Sequence, residues 1–227
     1  MAITDNAPGS PQLISLTGVG VLPAVTLSPG NLSFPTQIVF TTSKAQVATL
    51  TNTGLGLLTI ANITAKSAFM ETNTCGSVIS PGNSCTISVT FTPTTIGVIT
   101  GSVSITDNAP GSPQMVTLKG TGTYIQLTPT GVNFGNQPVG TTSLPRKVTV
   151  TNKGSVAVNI SSISITGLNA GDFAETNTCG RSIAAGSSCF IRVTFTPTVK
   201  GLRTASVSIT DNGGGSPQKV SLTGTGT

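Results

Sequence analysis

An eighteen-residue string that occurs three times constrains this chain more than any other feature. Residues 3–20 read ITDNAPGSPQLISLTGVG, residues 105–122 read ITDNAPGSPQMVTLKGTG and residues 209–226 read ITDNGGGSPQKVSLTGTG. The copies start 102 and 104 residues apart. A fixed period of this size sets the number of domains before any local structure is considered. It implies two repeat bodies, residues 23–123 and 124–227, each large enough to bury its own core. Residues 1–22 hold a third cassette with no body of its own before it. They are expected to be the C-terminal hairpin of a preceding repeat, with strands free to be donated elsewhere.

Composition narrows the fold class. Charged residues make up 7% of the chain, against roughly 25% in a typical soluble domain. There is no histidine and no tryptophan, and Thr, Ser, Gly, Asn and Pro fill the balance. Such a mixture suits β-strands with uncharged polar outer faces and many turns. Val, Ile and Leu recur throughout, which argues against disorder. The net charge of +5 is uneven: residues 24–123 carry +1, residues 124–227 carry +5, and Asp5 supplies the remaining −1. Apart from Arg146–Lys147 the basic residues are scattered, so they form no nucleic-acid stripe.

The four cysteines form two matched pairs, Cys75 with Cys85 and Cys179 with Cys189, each ten residues apart. One equally placed pair per repeat reads as one disulfide per domain. Closing so short a loop stabilises a domain by about 2–3 kcal/mol. A zinc site would need more ligands at closer spacing, and no histidine is present. Disulfides of this kind point to an oxidising compartment. No apolar run is long enough to span a bilayer, and the chain shows no signal peptide. Since it also opens in mid-repeat, it is expected to be a segment or processed form of a longer secreted protein.

Strand patterns recur in both bodies. AVTLSPGNLSF and IQLTPTGVNFG each predict a strand, a proline kink and a second short strand on a sheet edge. VATLTNTG and VTVTNKG alternate as half-buried strands do, and residues 57–64 and 156–166 predict another strand each. CTISVTFTPT and CFIRVTFTPT are the clearest strands, with Ile87, Val89 and Phe91 matched by Ile191, Val193 and Phe195. Repeat 2 carries four extra residues near 167–172, the size of change a loop absorbs. Phe69 and Phe173, just before the first cysteine of each pair, are expected to plug the core beside the disulfide. No helical periodicity of useful length is present. The fold class is all-β: two tandem immunoglobulin-like β-sandwiches of about seven strands each.

The string VxFxPxxxG leading to ITDN, together with TNTG and the FGNQPVGT edge strand, resembles the bacterial repeats of the ASPM–SPD-2–Hydin (ASH) type. These are also described as choice-of-anchor D domains and are related to major-sperm-protein-like immunoglobulin folds. Repeat 1 departs from the edge pattern, with FPTQIVFTTS in place of FGNQPVGTTS. The resemblance implies tandem arrays on large secreted or surface proteins, and a disulfide that clips a local excursion rather than joining the two sheets.

Catalytic chemistry finds little support. Asp5, Asp107 and Asp211 hold the same turn position in successive cassettes, so they cannot form one site; each is expected to make an Asx turn. Glu71 and Glu175 read as surface residues, and no metal, cofactor or catalytic residue is expected. Two classes of function remain. One is a self-associating scaffold in which Ile3, Leu13, Ile14 and Leu16 add strands to a neighbouring repeat or another copy, head to tail, giving a filament. The other is an extracellular adhesion or carbohydrate-binding module. That reading is weakened because such sites are aromatic-lined, whereas here there is one tyrosine, Tyr124, and eight phenylalanines, most on core-patterned strands.

Overall fold

The computed structural model describes residues 2–227. The orphan cassette forms β1 (Ala2–Ile3) and β2 (Gln12–Leu13). Repeat 1 contains β3 (Val25–Ser28), β4 (Asn31–Ile38), β5 (Gln46–Asn52), β6 (Leu58–Ala65), β7 (Phe69–Asn73), β8 (Val78–Ile79), β9 (Ser84–Phe91), β10 (Gly97–Asp107) and β11 (Gln114–Thr123). Repeat 2 follows with β12 (Ile125–Thr128), β13 (Gly131–Gln137), β14 (Arg146–Asn152), β15 (Val158–Thr166), β16 (Phe173–Asn177), β17 (Ser182–Ile183), β18 (Ser188–Phe195), β19 (Gly201–Asp211) and β20 (Gln218–Gly226). A 3-10 turn, η1 (Ala170–Asp172), precedes β16.

Each repeat is a sandwich of a four-stranded sheet, β3-β5-β9-β7 or β12-β14-β18-β16, on a five-stranded sheet, β4-β11-β10-β6-β8 or β13-β20-β19-β15-β17. The proline kink explains the split of the first strand. Pro29 and Pro129 have no N–H to give to a ladder, so β3 and β4 lie at the edges of opposite sheets, as do β12 and β13. Counting each broken pair as one strand leaves seven principal strands per sandwich, plus the two-residue β8 and β17. β4 runs parallel to β11, and β13 parallel to β20.

Alternation builds the cores. In β9, Ile87, Val89 and Phe91 are fully buried, while Thr86, Ser88 and Thr90 face outward or stay partly covered. Phe34, Phe69 and Phe91 form one aromatic cluster, with Phe69 and Phe91 stacked at 4.9 Å between ring centres. Phe134, Phe173 and Phe195 repeat it, with the stacked pair at 4.8 Å. Gly120 and Gly224 make room for these rings. A Cβ on Gly120 would lie 2.5 Å from Phe91, and one on Gly224 2.4 Å from Phe195.

Two expectations are corrected. Phe69 and Phe173 are core residues, but they do not sit beside the disulfide. Phe69 pairs in register with Phe91, at the far end of β9 from Cys85, and six strand residues span roughly 20 Å. The four-residue insertion of repeat 2 is not a plain loop. It folds into η1 and buries Asp172.

Candidate functional site

The disulfides Cys75–Cys85 and Cys179–Cys189 form with Sγ–Sγ distances of 1.99 and 2.07 Å. Cys85 lies on β9 and Cys75 just after its edge neighbour β7, so the bond stays within one sheet. The loop it closes carries β8 across to pair with β6 of the other sheet. Beside each bond the Asn73 or Asn177 Oδ1 accepts the N–H of Cys75 or Cys179, and its Nδ2 donates to Glu71 or Glu175 at 3.1 Å. The two glutamates are surface residues of intermediate exposure whose bond to the asparagine steadies the disulfide loop.

The cassette turn is the same local device three times. Ala7, Ala109 and Gly213 donate their N–H to Oδ1 of Asp5, Asp107 and Asp211 at 2.8, 2.8 and 2.7 Å. The aspartate N–H groups donate in turn to Ser10, Ser112 and Ser216. In the two sandwiches the next residue, Asn108 or Asn212, accepts the N–H of Thr59 or Asn159, pinning the turn to the neighbouring strand. Oδ2 of both Asp107 and Asp211 is buried without a hydrogen-bond partner. Burial pushes the Asp211 carboxyl above its ordinary range, against the Gly213 N–H and the Gln218 amide, which favour the charged form.

The orphan cassette keeps this turn but has shorter strands than the other two. β1 pairs with β2 through Ala2 opposite Leu13 and Ile3 opposite Gln12, in a two-stranded sheet separate from the four sandwich sheets. Of the four residues expected to associate, Ile3 and Leu13 lie in the hairpin, while Ile14 and Leu16 lie beyond it. Leu13 and Leu16 are 79% and 73% exposed.

The sandwiches meet through the third cassette. Tyr124 N–H and Thr123 Oγ1 both donate to the Gly213 carbonyl, at 2.7 and 3.2 Å. Thr123 Oγ1 also accepts from Ile125 N–H at 3.0 Å and from Gln218 Nε2 at 3.3 Å. This buried hydroxyl thus donates once and accepts twice, its full capacity. An open groove of about 510 Å³ runs along the joint past Thr36, Ile38, Leu127 and Lys219, and it gathers no carboxylate.

Sequence reasoning assigned no role to Asp172. It is 3% exposed and accepts from Arg203 Nε and from Thr198 Oγ1, the latter at 2.8 Å. Burial alone would raise its pKa, but the Arg203 hydrogen bond and charge and the Thr198 hydroxyl outweigh that, and the carboxyl sits below its ordinary value. The signal was present in the insertion before Phe173 and in Arg203, a charged residue within a strand. Among the described residues no group of three or more His, Cys, Asp or Glu is placed to hold a metal, and no helix is long and apolar enough to cross a membrane.

Two sandwiches with a parallel first-to-last strand pair, a local disulfide and a shared closing cassette define a tandem immunoglobulin-like module. Residues 27–121 and 123–225 each match the family described as HYDIN/CFA65/VesB-like, Ig-like domain, and the chain belongs to that family. A search of curated proteins found no match. Similar solved structures include a protein of unknown function from Porphyromonas gingivalis W83, at 14% identity and a TM-score of 0.39, covering 88% of this chain and 99% of that one. The ASH/PapD-like domain 7 of human CEP192 is 16% identical with a TM-score of 0.35, covering 46% of this chain and 86% of that one. The VesB protease of Vibrio cholerae is 13% identical with a TM-score of 0.38, covering 75% of this chain and 62% of that one.

Proposed function

We propose that this chain is a non-catalytic structural segment of a secreted or cell-surface bacterial repeat protein, and that its N-terminal cassette adds strands to a sheet of another copy or a neighbouring repeat. One observation carries the reading. In the sandwiches the last two cassette glycines make room for packed atoms: a Cβ would lie 2.5 Å from Phe91 at Gly120 and 2.1 Å from the Thr95 carbonyl at Gly122. A Cβ on the equivalent Gly18 or Gly20 would meet no atom of the described residues within 4 Å. The orphan cassette thus carries the small residues of a packed strand with none of the described residues packed on them, beside exposed Leu13 and Leu16. A short two-stranded hairpin of this kind has open edges, and open edges template pairing with another strand. β20 lies between β13 and β19, so an incoming hairpin would add at an outer edge such as β13 or β16. Repeated head to tail, that contact does not close and yields a filament.

Multi-angle light scattering of the full chain over a concentration series tests this. Mass should rise with concentration in the native chain and stay at the monomer value in Leu13→Asp/Leu16→Asp. A native chain that remains monomeric throughout sinks the reading.

A second reading, adhesion to an acidic glycan, rests on the outer face of repeat 2. There Lys147 lies opposite Arg192 across β14 and β18, and its Nζ sits 4.4 Å from the Phe190 ring centre. Repeat 1 has Val47, Ser88 and Thr86 at these places. A glycan array free of acidic hits would remove this reading.

A further inference from the structure

The first two cassette turns read Ala-Pro-Gly, whereas the third reads Gly213-Gly214-Gly215. The backbone differs accordingly. In the first two turns the third residue is left-handed, Gly9 at φ +88° and Gly111 at φ +85°. In the third turn both Gly214 (φ +84°) and Gly215 (φ +72°) are left-handed. Proline is confined near φ −65°, so the residue found at 110 could not take the place of Gly214 without rebuilding the turn.

What that turn meets is the end of repeat 1. A Cβ on Gly214 would lie 2.5 Å from the Gly122 carbonyl, 2.7 Å from Cβ of Ile96 and 3.0 Å from the Gly97 nitrogen. One on Gly215 would lie 2.9 Å from Thr36 Cγ2. The missing side chains are therefore the socket, and Ile96 is the apolar residue seated against it. At the position of Ile96, repeat 2 carries Lys200. An ammonium there would have to give up water or swing its stem outward, and either move abandons the contact.

The joint before repeat 1 is built differently. From the last cassette glycine to the next strand the chain runs from Gly20 to Val25, two residues longer than from Gly122 to Ile125. Its turn keeps Pro110, and Leu22 stays 69% exposed while its carbonyl accepts from Leu55 and Gly56.

We propose that Gly213–Gly215 and Ile96 form a matched lock that fixes repeat 2 rigidly against repeat 1. The socket is selective for an end like that of repeat 1, and the joint preceding repeat 1, whose turn carries Pro110 in place of the triple glycine, is a hinge. This does not rest on self-association of the orphan cassette, which involves neither half of the lock.

The test uses the full chain and two exchanges, each importing the residue the other sandwich carries at that place: Gly214→Pro and Ile96→Lys. Nitrogen-15 relaxation and residual dipolar couplings report the joint directly. In the native chain both sandwiches should share one tumbling time and one alignment tensor, while residues 2–20 move independently of them. Gly214→Pro should abolish the shared tumbling, leaving each sandwich near the value expected for its own size. Ile96→Lys should shift it in the same direction by less. Should Gly214→Pro disturb the fold of repeat 2, Ile96→Lys decides alone, since it changes a surface position of repeat 1. Separate tumbling in the native chain overturns the lock, as do unchanged tensors in both variants; residues 2–20 tumbling with repeat 1 overturn the hinge.

Discussion

Repeats 1 and 2 solve one packing problem in opposite ways. Where the strand before the disulfide begins, repeat 1 places Ala68 next to Phe69, and repeat 2 places Asp172 next to Phe173; both residues accept a backbone bond, from Thr92 and Thr196. Across from them lie Ile99 in repeat 1 and Arg203 in repeat 2, each two residues after the glycine that opens β10 or β19. Repeat 1 fills the place with apolar contact, Ala68 and Ile99 both packing on its core. Repeat 2 fills it with an ion pair, and the four-residue insertion provides the bracket. Asn169 accepts from Thr204 N–H and donates its own N–H to the Thr204 carbonyl, which holds η1 against β19. The two solutions share a geometry but not a vulnerability. A buried ion pair often adds little net stability, yet removing one partner leaves a buried charge uncompensated.

The largest expected effect breaks that comparison. Arg203→Ala should destabilise repeat 2 by about 3–5 kcal/mol. Ile99→Ala, at a partly covered position, should cost repeat 1 only about 1 kcal/mol. Asp172→Ala/Arg203→Ile, which imports the repeat 1 solution, should recover most of the loss; urea unfolding of the three variants decides. Next in size, Cys85→Ser and Cys189→Ser should each remove about 2–3 kcal/mol. The two losses should be similar, because the loops are equal in length and share the asparagine bond to the first cysteine, and calorimetry of the two variants checks it.

A smaller effect separates the repeats by pH. The folded-state pKa of Asp172 is lowered, so its contribution is complete above the unfolded carboxylate range, about 4, and is lost as pH falls through the lower folded value. That of Asp211 is raised, so its ionisation opposes folding; the penalty is absent below the unfolded range and sets in as pH rises through the raised folded value. Unfolding midpoints measured from pH 2 to pH 6 should lose their acid-side slope in Asp172→Ala/Arg203→Ile. In Asp211→Asn the decline on the neutral side should vanish. The smallest effect is expected at Leu13→Asp, which should move neither sandwich by more than about 0.5 kcal/mol; a larger shift in melting would show that the hairpin contributes to repeat 1.

The β-sandwich class and the tandem layout were legible because they rest on alternation, turn residues and a period of about a hundred, all local or additive signals. The pairing of each cysteine with its partner ten residues on was legible for the same reason. The position of Phe69 was not, since proximity in sequence to Cys75 says nothing of distance along an extended strand. Nor was the parallel pairing of β4 with β11, which joins segments some 86 residues apart, from Asn31 to Thr117, and leaves no mark on either. The joint was half visible: the triple glycine stood in the sequence as a departure from Ala-Pro-Gly, but nothing there said what it had to clear.

The three cassettes divide what the sequence determined by itself from what the fold decided. Asp, Ser and Gly at fixed offsets close the same turn in all three, with the same Asx bond, because every partner lies within five residues. The strand after the turn is another matter. QLISLTGVG gives the two-residue β2, and QMVTLKGTG gives the bulk of the ten-residue β11. The difference lies in the neighbours: β11 has β10 on one side and β4 on the other, whereas among the described residues β2 is hydrogen-bonded to one strand, β1. A strand exists only as far as its backbone groups and side chains find partners, and those partners come from the tertiary structure.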